Sequence, residues 1–565
     1  MIDGQPVNRR QRLLARKSAL WTERSSWISH WREISDYQQP RAGRFVTSDR
    51  NRGDKRANHI LDNAAVFGVR TLAAGLMSGV TSPARPWFRL EIEDRDLMES
   101  GAVKVWLHET GSLIRRIFAS SNTYRSLHSV YEELGLFGTA ASVVLPDFEN
   151  VLHCYPLTVG EYALATNARG QVDTLAREFQ MTVGQMIGQF GREACSLTVR
   201  NLADKQALDA WVDVLHIVQP REDRDLSRKD GKHKRFASIY MEMGSENEDK
   251  FLSESGFDRF PALAPRWVVT GNDVYGTSPG MECLGDVKQL QHQQLRKGQA
   301  IDYMVNPPLQ VPTRYKEASK ARLPGGVFYV DSSSQNAGVR SAFDVRLDLQ
   351  HLLMDIQDVR DRIRQSYYAD LFLMLANDTR SGTTATEIAE RHEEKLLMLG
   401  PVLERLHNEL LAPLIDIAFE RCVEAGILPP PPPELQGMDI KVEFISVLAQ
   451  AQRAVATSGM DRLLGTVGQL AGLSPSVVDK VNFDQVIDDY AEAYGVNPKM
   501  VVPDADVAAI RAQRAAAQQA AQSAAVAPQA VESAKTAGDI NVQGLRDVMN
   551  QFQGYGVPSP QFTEA

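Results

Sequence analysis

The chain has 565 residues, of which 43% are hydrophobic and 24% charged, and its formal net charge is −9. This length predicts about three structural regions, and the composition excludes a disordered chain. The acidic balance argues against tight binding of nucleic acid, which requires Lys and Arg to neutralise phosphates. No apolar run approaches the roughly 20 residues that cross a bilayer, so we expect no membrane span.

The first 270 residues are expected to contain helices followed by an α+β region. Between residues 138 and 270, short β-type runs such as ASVVL, VLHCYPL, FASIYME and RWVVT are separated by turn sequences. Apolar residues at helical spacing predict helices over residues 9–36, 58–80, 103–134 and 182–192. The fold class is therefore α+β and mainly helical.

Two long helices are predicted in the middle of the chain, over residues 281–305 and 345–375. Apolar residues recur at three- and four-residue spacing through the second helix. The first helix ends at the NPP sequence of residues 306–308, because proline cannot continue a helix. We expect an antiparallel hairpin whose tip, residues 306–344, is a small module with two short strands.

The second helix of this hairpin also carries a charged face, which has two interpretations. It is either an ordinary solvated surface or a surface that faces other copies of the chain. The residues of this face are Asp355, Asp358, Arg360, Asp361, Arg362 and Arg364.

A polar segment, NDTRSGTT, follows the apolar run LFLMLA. Its residue types favour local side-chain bonds or positive φ over helix, so a loop is expected over residues 376–385. Thr384 and Glu387 have the spacing of a capping box, which predicts that a new helix begins here. The residues of the polar segment are Asn377, Asp378, Thr379, Arg380, Ser381, Gly382, Thr383 and Thr384.

The C-terminal third is expected to be helical apart from one linker. A helix over residues 386–427 should be kinked or divided at Pro401 and Pro413. The sequence LPPPPPEL predicts a stiff spacer within residues 428–439. Helices follow over residues 440–530, and residues 531–565 lack periodicity and are expected to form a flexible tail.

No catalytic, metal or cofactor site is indicated. The chain contains no phosphate-binding GxxxxGK[ST] sequence, no GxGxxG after a strand and no GxSxG elbow. The four cysteines lie far apart, as expected for free buried thiols. Glu132 and Glu133 are adjacent on a helix, and adjacent side chains diverge too far to form an acid/base pair. We therefore predict that the protein is not an enzyme.

The order of elements and three local sequences resemble the portal, or head-to-tail connector, proteins of short-tailed bacteriophages. The resemblance covers residues 10–430. The sequences that carry it are RANHILDNAAVFGVRTLAAGLMSGVTSPARPWF (56–88), PRWVVTGNDVYGTSPGMECLGDVKQL (265–290) and RSGTTATEIAERHEEKLLMLGPVLERLHNELLAPLI (380–415).

This resemblance implies a ring of twelve copies at one capsid vertex, around a channel for double-stranded DNA. It implies the following parts: a wing over residues 1–270, stem helices over 281–305 and 345–375, a clip over 306–344, a tunnel loop over 376–385, a long kinked helix of the wing over 386–427, a linker over 428–439 and a crown over 440–530. The charged face of the second stem helix would then lie between subunits.

The resemblance also implies partners and a location. The clip would contact the large subunit of the packaging terminase and then the tail adaptor, through Arg314, Lys316, Lys320 and Arg322. Scaffold and major capsid proteins are further expected partners, without any membrane. The expected location is the head–tail junction of the virion, and the host cytoplasm during assembly. Arg380 would either contact DNA phosphate weakly or remain an ordinary solvated arginine.

Two alternatives remain at this point. One is another helical structural ring of a phage, such as a tail adaptor or an internal core protein. The other is a nucleic-acid-modifying enzyme without a recognisable motif, which the acidic balance disfavours.

Overall fold

The computed structural model describes most of the chain up to residue 521. The described residues are 8–47, 53, 59–92, 94, 97, 100–228, 230–244, 250–312, 327–330, 340–341, 350–377, 399–435, 440–444, 460, 462–472, 475–494, 500–502 and 506–521. They form a mainly helical α+β protein with two compact units. The first unit comprises Met1–Glu93 and Trp106–Leu464, and the second comprises Asp94–Val105 and Gly465–Ala565.

The helices and strands are as follows. The helices are α1 (Arg9–Tyr37), α2 (Ala64–Gly79), α3 (Gly101–Ser120), α4 (Thr123–Phe137), α5 (Val183–Phe190), α6 (Leu197–Asp204), α7 (Pro279–Glu282), α8 (Leu284–Val305), α9 (Gln350–Ser366), α10 (Ala369–Asn377), α11 (Gly400–Leu406), α12 (Ala412–Glu424), α13 (462–471), α14 (Phe483–Tyr494) and α15 (506–521). The strands are β1 (Phe88–Ile92), β2 (Ala141–Asp147), β3 (Val151–Leu157), β4 (Tyr162–Thr166), β5 (Val172–Thr182), β6 (Trp211–Pro220), β7 (Phe236–Glu242), β8 (Ser253–Phe257), β9 (Ala262–Leu263), β10 (Leu309–Pro312), β11 (Val327–Val330), β12 (Arg340–Ser341) and β13 (Ile440–Phe444).

The largest sheet has the order β4-β5-β6-β7-β8, and every neighbouring pair is antiparallel. Helix α1 buries Leu13 and Leu20 in a shared core with one face of this sheet. The sheet contributes Ala163, Ala176, Leu215, Ile217 and Ile239. Each fully buried large apolar side chain contributes about 1.5–3 kcal/mol, so this contact fixes the long N-terminal helix on the sheet.

Two strands pair although they are far apart in the sequence. Strand β1 is antiparallel to β13, with Phe88 opposite Phe444 and Ile92 opposite Ile440. The prediction of helix from residue 440 onward is therefore wrong for Ile440–Phe444. Every second residue of IKVEF is apolar, and this two-residue period suits a strand.

Helices α8 and α9 form the antiparallel hairpin. An ion pair of 3.1 Å joins Asp286 to Arg362, and Gln293 donates a hydrogen bond to Asp355, so the two chain directions are opposite. Buried Val287 and Leu290 of α8 face the stripe of α9 that contains Ile356, Val359 and Ile363. Beyond the first helix, β10 pairs with β11 in parallel and with β12 antiparallel.

The second long helix is divided, which periodicity alone does not show. Helix α9 ends at Ser366 and α10 begins at Ala369, where a single helix was predicted over residues 345–375. Tyr368 between them has φ 54°, in the left-handed region. The predicted helix over residues 103–134 is likewise divided before Asn122. The Asn122 side chain bonds the backbone N and O of Cys154 in β3 at 2.9 and 2.7 Å, so a long-range contact holds the chain at this break.

The long helix after the polar segment changes its winding before Pro413. His407–Leu411 forms a π-helical turn, in which the Ala412 N–H bonds to the His407 carbonyl. Pro413 cannot donate a backbone hydrogen bond, so the helix is disturbed here, as predicted. Pro401 instead lies at the start of α11, where the fixed φ of proline favours helix initiation.

Most of the predicted strands between residues 138 and 270 are present, but three elements differ. The run RWVVT forms only isolated bridges, between Thr139 and Arg266 and between Val268 and Thr277. Strand β8 has the sequence SESGF, whose polar residues give no strand signal. Helix α6 begins at the Ser196 cap, which the sequence analysis did not identify.

Candidate functional site: the helical hairpin and its anchor

The hairpin is anchored to the segment before α2 by one buried carboxylate. Asp62 is 9% exposed, and its Oδ2 accepts hydrogen bonds from Arg360 Nε and Nη2 at 3.0 and 2.7 Å. Gln294 Nε2 donates to the same oxygen at 2.8 Å, and the Ala64 N–H donates to Oδ1 at 2.9 Å. Asp62 thus contacts both hairpin helices and the first turn of α2. Charge-assisted hydrogen bonds of this kind are stronger than neutral ones.

Gln291 adds a second set of bonds at the same place. Its Oε1 accepts from the Leu61 and Asp62 N–H groups at 2.6 and 2.8 Å, and its Nε2 donates to the Asp62 carbonyl at 2.9 Å. The side chain is 5% exposed, so unpaired amide groups would be costly here. No local sequence pattern relates residue 62 to residues 291 and 360, and sequence reasoning missed this anchor.

All six residues of the predicted charged face are described, and each has a partner within the chain. Arg360 bonds Asp62, and Arg362 pairs with Asp286 at 3.1 Å and with Asp358 at 3.4 Å. Arg364 lies 3.5 Å from Asp361, and Asp355 accepts a bond from Gln293. Apart from the pair with Asp62, these are exposed contacts that contribute little stability.

Apolar side chains continue along the hairpin beyond its buried core. The hairpin register places Leu295 of α8 and Leu353 of α9 at the same level along the hairpin, and these side chains are 48% and 46% exposed. Met304 and Val305, at the end of α8, are 48% and 79% exposed. Half-exposed leucines on facing helices indicate a surface that another chain could cover.

The polar segment and the clip residues lie mostly outside the described residues. Asn377 is the last residue of α10, two residues beyond the predicted helix end. Asp378, Thr379, Arg380, Ser381, Gly382, Thr383 and Thr384 lie outside the described residues, as do Arg314, Lys316, Lys320 and Arg322. The structure therefore assigns no contacts to either group.

A buried ion pair fixes the π-helical turn on the sheet region. Arg266 is 3% exposed and donates from Nε and Nη2 to the Glu409 carboxylate at 3.2 and 2.6 Å. The Arg266 backbone N–H bonds the same carboxylate at 2.9 Å. Removing one partner of such a pair leaves a buried charge uncompensated. The pair therefore holds the long helix at the point where its winding changes.

Glu133 on α4 is a buried acid. The sequence analysis rejected a catalytic pair of Glu133 with Glu132. Its carboxylate accepts hydrogen bonds from Thr158 Oγ1 at 2.6 Å and from the Val159 N–H at 3.2 Å. Burial raises the pKa of Glu133 to about 8. The bonds attach α4 to the turn between β3 and β4, which is a structural role.

The described residues contain no cluster of His, Cys, Asp or Glu suited to a metal ion. Within the same part of the chain, no helix is long and apolar enough to span a membrane. All four cysteines are buried and form no disulfide, and burial raises the pKa of Cys154 to about 11 and that of Cys283 to about 12. Raised pKa values make these thiols poor nucleophiles.

Comparison with known proteins identifies the family of this chain. The sequence profile of the bacteriophage head to tail connecting proteins matches residues 10–502. The chain belongs to this family. It is 56% identical to the probable portal protein of Bordetella phage BPP-1 over 549 residues, which cover 97% of this chain and 99% of that protein. It is 45% identical to the portal protein of Salmonella phage epsilon15 over 528 residues, which cover 93% and 95%.

The predicted resemblance to portal proteins is thereby confirmed, and this head-to-tail connecting protein functions at the head–tail junction of a phage virion. Two solved structures are also similar, each with 12% identity. The neck of an empty gene transfer agent particle aligns over 76% of this chain and 92% of that chain, with a TM-score of 0.35. The virion of a native gene transfer agent aligns over 71% and 95%, with a TM-score of 0.29.

Replacing Asp62 with Asn should weaken the anchor, because Arg360 and Gln294 would lose their charged acceptor. Hydrogen bonds to charged groups contribute about 1.5–3 kcal/mol, so we expect a loss of roughly this size in the free energy of unfolding. Asp358→Asn is the control, since its carboxylate is 69% exposed and the change should be within about 0.5 kcal/mol of zero. Urea denaturation of both variants measures this, and equal losses would contradict the anchor.

Replacing Glu133 with Gln should remove a pH dependence of stability. The folded pKa of Glu133, about 8, lies above the ordinary value of 4.5, so the folded state holds the proton more tightly than the unfolded state. Its contribution is complete below pH 4.5 and is lost as the pH rises through 8. As the pH rises from 4.5 to 8, the unmodified protein should lose this contribution and Glu133→Gln should not. The melting temperature of Glu133→Gln, relative to that of the unmodified protein, should therefore increase with pH over this range. Glu132→Gln is the control, and parallel pH profiles for the unmodified protein and Glu133→Gln would contradict the prediction.

Proposed function

We propose that copies of this chain close into a ring of twelve around a channel for double-stranded DNA during packaging and ejection. The observation that carries the proposal is the hairpin, whose charged residues are paired within the chain while its leucines remain half exposed. Family membership supports the same assignment, since both relatives are portal proteins and not tail adaptors or internal core proteins.

The hairpin is the proposed stem of the ring, with the seam of Leu295 and Leu353 facing a neighbouring subunit. Covering apolar surface contributes about 25 cal/mol per Å², whereas exposed ion pairs contribute little. The charged face, with Asp355, Asp358, Arg360, Asp361, Arg362 and Arg364, then adds polar contacts at the rim of this interface. Because the same patch repeats around the ring, a small contribution per subunit is multiplied.

The polar segment, Asn377 to Thr384, is the proposed tunnel loop. Its first residue, Asn377, is also the last residue of α10, so the helix fixes where the segment begins. A net charge of −9 per chain makes tight phosphate binding unfavourable, and DNA should slide past with few lasting contacts. Arg380 is the proposed weak phosphate contact.

The remaining partners follow from the same assignment. The clip, with Arg314, Lys316, Lys320 and Arg322, is proposed to bind the large terminase subunit first and the tail adaptor later. Scaffold and major capsid proteins are proposed to surround the ring when it nucleates the capsid. The chain itself is proposed to be non-enzymatic, with ATP hydrolysis performed by the terminase.

Replacing Leu295 with Arg should prevent ring formation without unfolding the protomer. The substitution introduces a charge into the proposed interface, where its desolvation would be unfavourable. Leu226→Arg is the control, because Leu226 is 80% exposed in a surface loop. Sedimentation velocity should show protomers for Leu295→Arg and rings for Leu226→Arg. Intact rings of Leu295→Arg would contradict the proposed stem interface.

Replacing Arg380 with Ala should reduce DNA retention in packaged heads. An exposed charge contact contributes about 0.2–1 kcal/mol, so the effect should be at most roughly fivefold. Arg169→Ala, in the exposed turn between β4 and β5, is the control for loss of one surface charge. Nuclease-protected DNA per head measures retention. Unchanged retention and packaging in Arg380→Ala would exclude the phosphate contact.

A further inference from the structure

Two glycines on one face of α2 pack closely against aromatic rings. One ring lies in the bend between α9 and α10, and the other lies in α10. A Cβ atom at Gly68 would lie 2.6 Å from Cδ2 of Tyr367, and one at Gly75 would lie 2.1 Å from Cγ of Phe372. Both distances are too short for any side chain at these positions. The two glycines are two helical turns apart, so they face the same neighbour. We call Gly68 and Gly75 the glycine sockets.

Tyr367 is fixed from its other end as well. The side chain is fully buried, and its hydroxyl donates a hydrogen bond to Gln38 Oε1 at the C-terminal end of α1. Gln38 Nε2 in turn donates to the Gly280 carbonyl at 2.8 Å. A Cβ atom at Gly280 would lie 3.0 Å from the Tyr367 hydroxyl. Three separate helices, α1, α2 and α7, therefore determine the position of this one ring.

The backbone at the bend adopts a conformation that its sequence does not favour. Tyr368 has φ 54°, and the left-handed region costs an L-residue roughly 1–2 kcal/mol. Neither glycine nor proline occurs between Gln350 and Asn377 to explain the bend. Such strain persists where the surrounding structure fixes it, and here the fixed groups are the rings on either side, Tyr367 and Phe372.

We propose that the glycine sockets position α10 through Tyr367 and Phe372, and so determine where the chain leaves the stem toward the DNA. This inference rests on the proposed function, because the segment after Asn377 is the proposed tunnel loop. Asp62 anchors α9 before the start of α2, whereas Gly75 lies near its other end. The hairpin is therefore held just before the start of α2, and α10 is held near its end. These two contacts together determine the angle between α9 and α10.

The test compares Gly75→Ala with Gly79→Ala in the full-length protein. Both glycines lie on α2, but a Cβ atom at Gly79 would meet nothing within 4 Å. The readouts are ring assembly, the direction of α10 in a cryo-electron microscopy map, and nuclease-protected DNA per head. We expect both variants to assemble. In Gly75→Ala, α10 should be displaced and protected DNA should fall several-fold, whereas Gly79→Ala should match the unmodified protein.

A second pair covers the case in which Gly75→Ala does not fold. Phe372→Leu partly empties the socket without a clash, and Leu373→Ala changes its neighbour, which is 47% exposed. Lower DNA retention for Phe372→Leu alone, with rings intact, supports the positioning role. An unchanged direction of α10 in Gly75→Ala, or in Phe372→Leu where Gly75→Ala does not fold, overturns it. A displaced α10 with normal DNA retention supports the sockets and contradicts the tunnel-loop function.

Discussion

The position of the hairpin and of α10 depends on α2 and the residues just before it, which make one charged and one apolar contact. The charged contact is the Asp62 carboxylate, buried between Arg360, Gln294 and the start of the helix. The apolar contact is the pair of rings held against Gly68 and Gly75. Because the charged contact is buried, losing one partner is costly, and because glycine has no side chain, the rings approach the helix closely.

The distribution of partners along the hairpin separates intrachain contacts from those available to other chains. Each of the six charged residues on α9 bonds within the chain, and two of these contacts, Arg362 with Asp286 and Asp355 with Gln293, cross to α8. Leu295 and Leu353 are half exposed in the protomer. In the proposed ring, burying them against a neighbouring copy would supply most of the favourable free energy of association. Assembly of a ring would therefore depend on apolar contacts, with charge pairs setting the alignment.

Sequence patterns predicted those elements whose residues repeat at a fixed period. The stripe of α1, the two hairpin helices and most strands of the large sheet follow from periods of 3.6 and 2, and the disturbed helix follows from Pro413. The bend at Tyr368 was missed because distant residues, Gln38 and Gly68, impose it on a helix-favouring sequence. The pairing of β1 with β13 and the bonds of Asp62 were missed for the same reason. Family resemblance predicted the role of the chain, which no single motif could have shown.

In the proposed ring, the hairpins of several copies surround a hole, with the end of α10 directed toward it. A cryo-electron microscopy map of the purified full-length protein tests this most directly. We expect a closed ring in which Leu295 and Leu353 lie against a neighbouring subunit and Asn377 faces the central channel. A monomer, or a ring in which Asn377 faces the outer surface, would contradict it.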